Sequence, residues 1–301
     1  MDFNSRRITA IIENALLEDR ATSDATSYAC IDPNQRASAT ILAKQDCILA
    51  GIGCVGRILD VYAALDGAVI SHYEVTTHPE IFDGVRLHKG QSVAVIRHNA
   101  RVLLSSERVI LNLLQHLSGI ATLTRRYVDA IEGTGARVLD TRKTVPGMRF
   151  LEKYAVQCGG GTNHRIDLAS GILIKNNHIS LGGGVKTTLT RALKNRRLHQ
   201  RVQIEVRSTQ ELEDALEAGA EAILLDNMSP DQVRRSVERI RLAAPGRAEM
   251  DKAHWIPIEA SGGITLEKIR AYAEAGVDFI SVGALTHSAK AADISMRIVA
   301  E

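Results

Sequence analysis

Three short segments of the 301-residue sequence each place a cationic side chain beside a tight turn or directly after an apolar run. The cations are Arg142 and Lys143 before a Pro-Gly turn, Arg165 after a run of three glycines, and Lys175 at the end of an apolar run. Most Arg and Lys side chains are solvated surface charges, but positions that follow a strand are where α/β proteins carry ligand-binding groups. Converging cations would bind a ligand with several negative charges, because Arg suits carboxylates and Lys acts as a point charge for phosphate.

Two acidic side chains occur inside or at the end of apolar runs that predict buried strands. Glu205 lies within the run 202–206, and Asp226 ends the run 222–226. Each acid could form a salt bridge to a neighbouring strand. The pair could also form a Mg²⁺ site or a sugar-diol site, because Mg²⁺ commonly takes one or two carboxylates together with substrate phosphate oxygens.

A glycine-containing turn follows the predicted strand 256–260. Ser261, Gly262 and Gly263 precede a helix predicted to begin at 266, and glycines at a helix N-terminus expose N–H groups that attract phosphate. Gly283 offers a second small turn after the last predicted strand. Simple turn formation is the alternative, although phosphate bound by the last two loops recurs in α/β barrels.

Two histidines, His164 and His178, fall within the cationic stretch 140–178. For each, a structural hydrogen bond and a contact to a ligand are both open.

The overall composition is that of an ordinary soluble globular protein. The sequence is 45% hydrophobic and 24% charged with a net charge of +2, so a nucleic-acid partner is not expected. The four cysteines include no C-x-x-C pair, which indicates reduced thiols rather than a zinc site or disulfides. The longest uncharged apolar run, 47–56, is too short to cross a membrane. We therefore expect a cytoplasmic protein without a membrane partner.

The N-terminal part of the sequence predicts an α+β sandwich domain with an antiparallel sheet, over residues 1–112. Apolar residues at helical spacing over 8–16 predict an opening amphipathic helix, and 54–65 predicts a second helix. Short, often alternating runs predict strands at 37–44, 47–51, 68–75, 92–98 and 101–104.

A long helical pattern from 105 to 131 marks the domain junction, and apolar strands then alternate with amphipathic helices. The predicted strands are 138–140, 172–175, 202–206, 222–226, 256–260 and 279–282, and the predicted helices are 148–156, 185–195, 208–218, 230–243 and 266–275. This alternation favours an α/β barrel of about six or seven strands over 113–288, with an open doubly wound sheet as the alternative. A helical tail over 289–301 is expected to pack back on the body.

Several motifs in order give the chain a resemblance to a known family. They are S-S-E-R-x-x-L-N-L-L-Q-H-L-S-G-I-A-T at 105–122, D-T-R-K-T-V-P-G-M-R at 140–149, G-G-G-T-N-H-R at 159–165 and L-I-K-N-N-H at 173–178, followed by I-E-V, L-L-D-N, E-A-S-G-G-I and S-V-G. The chain thereby resembles the nicotinate-nucleotide pyrophosphorylases, or quinolinate phosphoribosyltransferases, over nearly its whole length.

The resemblance implies a transferase of NAD biosynthesis that converts quinolinate and phosphoribosyl pyrophosphate into nicotinate mononucleotide, pyrophosphate and CO₂ with Mg²⁺. It also implies an incomplete α/β barrel, and a homodimer in which each subunit completes its neighbour's site. Whether dimers assemble further, for example to a hexamer, is left open.

The site residues that the resemblance implies fall into three groups. Arg142, His164, Arg165 and Lys175 would bind quinolinate, with Arg108 donated by the partner chain. Lys143 would contact pyrophosphate, Glu205 and Asp226 would serve the ribose and Mg²⁺, and Ser261, Gly262, Gly263 and Gly283 would bind the 5′-phosphate. Lys143, Lys175, Glu205 and Asp226 are the catalytic candidates.

Two departures from the family pattern are visible in the sequence. Many relatives carry an acid where Asn176 stands, which could alter the position of the metal or of Lys175, and 18–26 lacks glycines common in the N-terminal domain. The glycine-rich segment 180–187 could be a mobile lid.

Three other functions stay open on the sequence. A related pyrophosphorylase could use another acid, and a phosphosugar isomerase or synthase could use the same barrel. A sensor or scaffold could bind phosphoribosyl pyrophosphate without consuming it.

Overall fold

The protein is described here from a computed structural model that covers residues 1–67, 72–198, 200–245 and 255–301. The chain divides into two compact units, and each is discontinuous in sequence. The first unit contains Met1–Arg125, Thr144–Gly160 and Leu285–Glu301, and the second contains Arg126–Lys143 and Gly161–Ala284. The units are therefore interleaved along the chain, unlike the predicted consecutive domains 1–112, 113–288 and 289–301.

The elements up to the long helix mix helices with short strands. They are α1 (Arg6–Glu18), one turn of 3₁₀ helix (Ala21–Ser23), α2 (Ala25–Cys30), β1 (Arg36–Ala43), β2 (Cys47–Ile48), α3 (Gly53–Leu65), β3 (Glu74–Thr76), β4 (Arg86–Leu87), β5 (Ser92–Asn99) and α4 (Ala100–Ala130). The strand predicted over 68–75 falls partly outside the described residues, which exclude 68–71.

The elements after α4 alternate between strands and helices. They are β6 (Arg137–Leu139), α5 (Arg149–Cys158), β7 (Ile172–Ile174), α6 (Asn176–Gly182), α7 (Val185–Asn195), β8 (Val202–Val206), α8 (Thr209–Glu217), β9 (Ile223–Asp226), α9 (Pro230–Ala243), β10 (Ile258–Ser261), α10 (Ile269–Glu274), β11 (Phe279–Ser281), α11 (Ala284–His287) and β12 (Ile294–Ala300). None of the helices in the described ranges combines the length and apolar composition that a membrane-spanning helix needs.

The first unit is built on an antiparallel sheet, which confirms the α+β prediction. Its strand order is β12-β1-β5-β3, and a separate two-stranded pairing joins β2 to β4. Along β1 every second residue is buried, as expected for a strand with one face on the core. The amphipathic helix α1 packs on α3 through a face that includes Ile8, Ile12 and Leu16.

The C-terminal residues form a strand, so the helix predicted over 289–301 is wrong. β12 pairs antiparallel with β1, with Met296 opposite Ile41. Spacing of apolar residues in so short a segment fits either a helix or a strand, and the partner that decides between them lies near the other end of the chain.

The strand predicted over 101–104 is also wrong, because α4 already begins at Ala100. The Asn99 Oδ1 accepts the N–H of Arg101 at 2.9 Å, and the Asn99 Nδ2 donates to the Pro33 carbonyl oxygen at 2.6 Å. An Asn that accepts from the second helical N–H acts as an N-cap, which is worth about 1 kcal/mol. The cap residue was visible in the sequence, but the β-branched and apolar run after it favoured a strand.

The second unit is an incomplete α/β barrel. In the part of the chain that the structure describes, six parallel strands form one sheet in the order β6-β11-β10-β9-β8-β7. The order is circular except that β6 and β7 do not pair, so the barrel is open between them. On the open side of β6, Thr162 forms an isolated parallel bridge with Leu139. The predicted α/β barrel is confirmed.

The turn after β9 is fixed by the start of α9. The Ser229 hydroxyl accepts the N–H of Gln232, the Gln232 side chain accepts the N–H of Ser229, and Pro230 occupies the first turn. This reciprocal capping determines where the chain leaves the strand that ends at Asp226.

Candidate active site

The predicted site residues of the second unit lie at the carboxyl ends of its strands. The strands of the described sheet are parallel, so these ends form one edge. Ser261 pairs with Asp226 there, and Ile174 pairs with Ile204 one position before Lys175 and Glu205. The predicted residues at or just beyond this edge are Arg142, Lys143, His164, Arg165, Lys175, Glu205, Asp226, Ser261, Gly262, Gly263 and Gly283.

Glu205 and Asp226 are half-buried carboxylates on adjacent strands. Burial raises the pKa of the Glu205 carboxyl above its ordinary value, and the negative charge of Asp226 raises it further. The charges of Lys175 and Arg207 and a hydrogen bond from the Asn176 N–H oppose that rise. Neither acid forms a salt bridge with a residue in the described ranges, so the structural alternative for this pair is not supported. Two like charges in this arrangement favour a bound cation.

Arg142 and Arg165 lie close enough to repel each other. The pKa of the Arg165 guanidinium is lowered, first by burial and then by the positive charge of Arg142. Arg165 Nη1 donates to the Gly171 carbonyl oxygen at 2.8 Å, whereas the buried Nε of Arg142 reaches no acceptor among the described residues. Two half-buried guanidiniums at one place suit an anion, most directly a carboxylate.

His164 is held by its backbone and by both ring nitrogens. Its N–H donates to Asp140 Oδ1 at 2.8 Å, and its Nδ1 accepts the N–H of Arg165 at 2.7 Å. Its Nε2 lies 3.3 Å from Glu259 Oε2, and the imidazole is 16% exposed. The sequence left two roles open for His164, and the structure shows the first of them, structural hydrogen bonds. A contact to a ligand stays a prediction.

Lys175 ends β7 and is followed at once by α6. The exposed His178 accepts the N–H of Lys175 through Nδ1 at 2.9 Å, which is a structural role at the start of the helix. Asn176 Oδ1 accepts a hydrogen bond from Arg207 Nη2 at 2.5 Å. Asn176 therefore contacts a cation at the next strand end. The suggested lid, 180–187, spans the end of α6 and the start of α7, and its motion stays a prediction.

The glycine turn after β10 approaches the end of β9 very closely. At Gly262, where φ is +104°, a Cβ atom would lie 2.3 Å from Asn227 Oδ1, so only glycine fits without displacement. The Asn227 N–H donates to the Ser261 carbonyl oxygen at 2.9 Å. Because α10 begins only at Ile269, the turn does not lead directly into a helix. The predicted helix N-terminus therefore does not directly follow this turn. A phosphate bound here would be held by the backbone N–H groups of the turn itself.

The remaining predicted residues are Lys143, Gly283 and Arg108. Lys143 is exposed, and its N–H donates to Thr141 Oγ1 at 3.0 Å. Gly283 follows Val282, whose N–H donates to the Leu139 carbonyl oxygen at 2.9 Å. Arg108 is exposed on α4, and it is the one predicted residue that belongs to the first unit.

Sequence reasoning missed three polar residues of this region. Arg207 directly follows β8, so the rule that singled out Lys175 applied to it as well. Gln203 and Glu259 lie inside apolar strands, and Gln203 Nε2 donates to Glu259 Oε2 at 2.8 Å. A polar residue inside a buried parallel strand was the available signal, and it was used only for Glu205.

The acid pair fits Mg²⁺ better than it fits a closed metal site. Groups of three or more potential protein ligands are absent from the described ranges. Mg²⁺ usually keeps several waters and binds through one or two carboxylates and substrate phosphates, so two adjacent carboxylates are sufficient protein ligands.

Comparison with known proteins gives a consistent picture over both halves of the chain. The family model for the quinolinate phosphoribosyl transferase N-terminal domain matches residues 24–118, and the model for the C-terminal domain matches residues 120–297. The chain is 41% identical to the "probable nicotinate-nucleotide pyrophosphorylase (carboxylating)" of Bacillus subtilis, over 98% of this chain and 94% of that protein. It is 39% identical to the "nicotinate-nucleotide pyrophosphorylase (carboxylating)" of Mycobacterium leprae, over 98% of each.

A solved structure with the same architecture is the crystal structure of NadC from Streptococcus pyogenes. It superposes on this chain with a TM-score of 0.88 at 35% sequence identity, and the match covers 100% of this chain and 99% of that one.

Proposed function

Because the chain belongs to the quinolinate phosphoribosyl transferase family, we propose that it converts quinolinate and phosphoribosyl pyrophosphate into nicotinate mononucleotide, pyrophosphate and CO₂. The observation that carries this proposal is the grouping, at one sheet edge, of two neighbouring guanidiniums with two adjacent carboxylates that form no salt bridge within the described residues. A dianionic acid would bind the former, and an activated sugar with its metal would bind the latter.

The diacid would be held by the cations of the strand-end group. Arg142 and Arg165 suit its two carboxylates, because each guanidinium can donate two parallel hydrogen bonds to a carboxylate. An anion between them would also relieve their mutual repulsion. The positive charge of Arg142 is the second cause, after burial, of the lowered pKa of Arg165. Lys175 would add a third positive charge from the end of β7.

The activated sugar would lie over the acid pair and the glycine turns. Glu205 and Asp226 would hold Mg²⁺, which when bound neutralises charge on the pyrophosphate group. Ser261, Gly262 and Gly263, with Gly283, would take the 5′-phosphate through backbone N–H groups, and Lys143 would contact pyrophosphate.

The chain's residues would act mainly by placement and electrostatic field. The ring nitrogen forms a bond to the ribose C1 while the bond from C1 to pyrophosphate breaks, and its electron pair leaves with pyrophosphate. Glu205 and Asp226 would stabilise positive charge that develops on the ribose. The ring nitrogen is then cationic. When the adjacent carboxylate leaves as CO₂, that charge stabilises the electron pair left on carbon until a proton replaces it.

We also propose that the working form is a homodimer with shared sites. Arg108 is exposed and belongs to the first unit, and in this proposal it would complete the diacid site of a partner chain. Placement in the cytoplasm and in NAD biosynthesis belongs to the same proposal.

One assay separates this function from its rivals. The purified protein is incubated with Mg²⁺, phosphoribosyl pyrophosphate and either quinolinate or nicotinate, and nicotinate mononucleotide is followed by chromatography. We expect product in the reaction with quinolinate and none in the reaction with nicotinate. Product in the reaction with nicotinate but not with quinolinate would indicate a related pyrophosphorylase. Binding of phosphoribosyl pyrophosphate without its consumption would indicate a sensor.

A further inference from the structure

The second unit contains a buried carboxylate that the proposed reaction does not use. Glu259, in the middle of β10, is 3% exposed. Its Oε2 atom accepts from Gln203 Nε2 at 2.8 Å and lies 3.3 Å from His164 Nε2. Its Oε1 atom is buried and has no hydrogen-bond partner among the described residues.

Such a residue is costly, so its presence calls for a role beyond stability. A buried oxygen that lacks a hydrogen bond destabilises the fold, and apolar replacements of buried charged groups are often neutral or stabilising. Burial by itself would raise the pKa of the Glu259 carboxyl, but the interaction with His164, and after it those with Ser281 and Gln203, outweigh burial and hold the pKa below its ordinary value. The group is therefore a carboxylate.

The hydrogen bonds around His164 define its tautomer. Because Nδ1 accepts the backbone N–H of Arg165, Nδ1 carries no proton, and the ring proton lies on Nε2. That proton is directed at Glu259 Oε2. The imidazole thus connects a carboxylate of the strand β10 to the backbone of Arg165.

Arg165 is a side chain that needs such an anchor. Arg165 is half-buried, and it lies near Arg142, whose positive charge disfavours the positive charge of Arg165. Its Nη1 donates to the Gly171 carbonyl oxygen in the loop before β7, and the charge of Asp167 partly opposes that of Arg142. Without a fixed backbone, repulsion would favour conformations in which the two guanidiniums separate.

We propose that Glu259 is a positioning residue: by holding the Nε2-protonated imidazole of His164, it fixes the backbone of Arg165 so that two guanidiniums are presented together to a dicarboxylate. This inference rests on the proposed function, since the dicarboxylate is quinolinate. It assigns His164 a structural task in the substrate site, with its two ring nitrogens engaged by the protein.

Two variants of Glu259 separate this role from simple packing. Glu259→Met keeps the length of the side chain but has no acceptor oxygen, and we expect KM for quinolinate to rise about tenfold while KM for phosphoribosyl pyrophosphate changes less than about twofold. Glu259→Gln keeps an oxygen that can accept both donors, so it should restore KM for quinolinate to within about threefold of the wild type. Asp278→Asn is the matched control, because Asp278 binds Arg241 and the N–H of Ile258 at the amino end of the strands.

A spectroscopic measurement keeps the test independent of whether the Met variant folds. ¹⁵N NMR of histidine-labelled wild-type protein should show His164 as the Nε2-protonated tautomer, and Glu259→Gln should preserve it. A Nδ1-protonated or averaged ring in the wild type overturns the inference. An unchanged KM for quinolinate in Glu259→Met, an equal rise in both KM values, or a Gln variant no better than Met also overturns it. If the wild type makes no product from quinolinate, the proposed function fails first, and the tautomer is still read by NMR.

Discussion

Arg142 and Arg165 illustrate how the site departs from what stability alone would favour. Two guanidiniums that lie close together are unfavourable in the absence of an anion, and the positive charge of Arg142 adds to burial in lowering the pKa of Arg165. The buried Nε of Arg142 has no acceptor among the described residues. Selection for stability would place an acid between them. The arrangement is explained if the acid is the substrate.

We predict that Arg142→Ala lowers kcat/KM for quinolinate by more than about tenfold while the fold is kept, because it removes half of the guanidinium pair. Steady-state kinetics with circular dichroism checks this. The control is Arg239→Ala, which removes an exposed Arg bonded to Glu213 on the helices. Near-normal turnover in the Arg142 variant would contradict the site.

Glu205 gives a prediction about stability and pH. Its folded-state pKa is raised above the ordinary 4.5, first by burial and then by Asp226, so the folded protein binds more protons than the unfolded chain above about that pH. Stability is therefore lost as pH rises through the window between 4.5 and the folded pKa. Glu205→Gln removes this loss, so its Tm at neutral pH should exceed that of the wild type while activity falls. A lower Tm at neutral pH would exclude the interpretation.

At the scale of elements, the close approach between the ends of β9 and β10 controls the proposed phosphate site. We predict that Gly262→Ala destabilises the protein by about 1–3 kcal/mol and raises KM for phosphoribosyl pyrophosphate, because its Cβ would meet Asn227. Gly219→Ala is the matched control: its φ is also positive, at +80°, but nothing lies within 4 Å. Denaturant unfolding measures the loss of stability in each variant, and kinetics measures whether the proposed phosphate site is also affected. Equal KM values for phosphoribosyl pyrophosphate in both variants would contradict a phosphate site at the turn.

The strand β12 gives a second prediction at this scale. A chain that stops at Asp293 lacks the partner of β1, and we expect a lower Tm and aggregation, because an unpaired strand edge is exposed. Removal of Glu301 alone deletes surface ion pairs with Arg36 and Arg97 and one terminal backbone hydrogen bond, from the Glu301 N–H to the Arg36 carbonyl oxygen, and should cost about 1 kcal/mol. Thermal unfolding with light scattering measures both; unchanged behaviour of the shorter chain would show that β12 is dispensable.

The sequence predicted the second unit better than the first, for a physical reason. Each strand of a parallel sheet is followed by its own covering helix, so local periodicity carries most of the information, and β8, α7 and α9 were predicted to within a residue. In the first unit, β12 and β1 meet from opposite ends of the chain, and α4 begins through the Asn99 cap inside a strand-like run. The strand-end cations and the acid pair were found from the sequence. Glu259 was missed because its task depends on contacts with Gln203 and His164, which sequence spacing does not show.

At the scale of the whole molecule, the proposed sharing of sites makes activity depend on pairing between chains. In a dimer of Arg108→Ala with Arg142→Ala, one site has both defects and the other has none. Random mixing makes half of all dimers mixed, so we expect about a quarter of wild-type activity from two variants that are each inactive. Failure of rescue in verified mixed dimers would contradict the shared site.

In the proposed reaction, one group of strand-end residues binds quinolinate beside an activated ribose and joins the two with loss of a carboxylate. The most direct measurement is release of ¹⁴CO₂ from carboxyl-labelled quinolinate, with nicotinate mononucleotide quantified in the same reaction. We expect release to require phosphoribosyl pyrophosphate and Mg²⁺ and to equal the product in amount. Retention of the label while phosphoribosyl pyrophosphate is bound or consumed would contradict it.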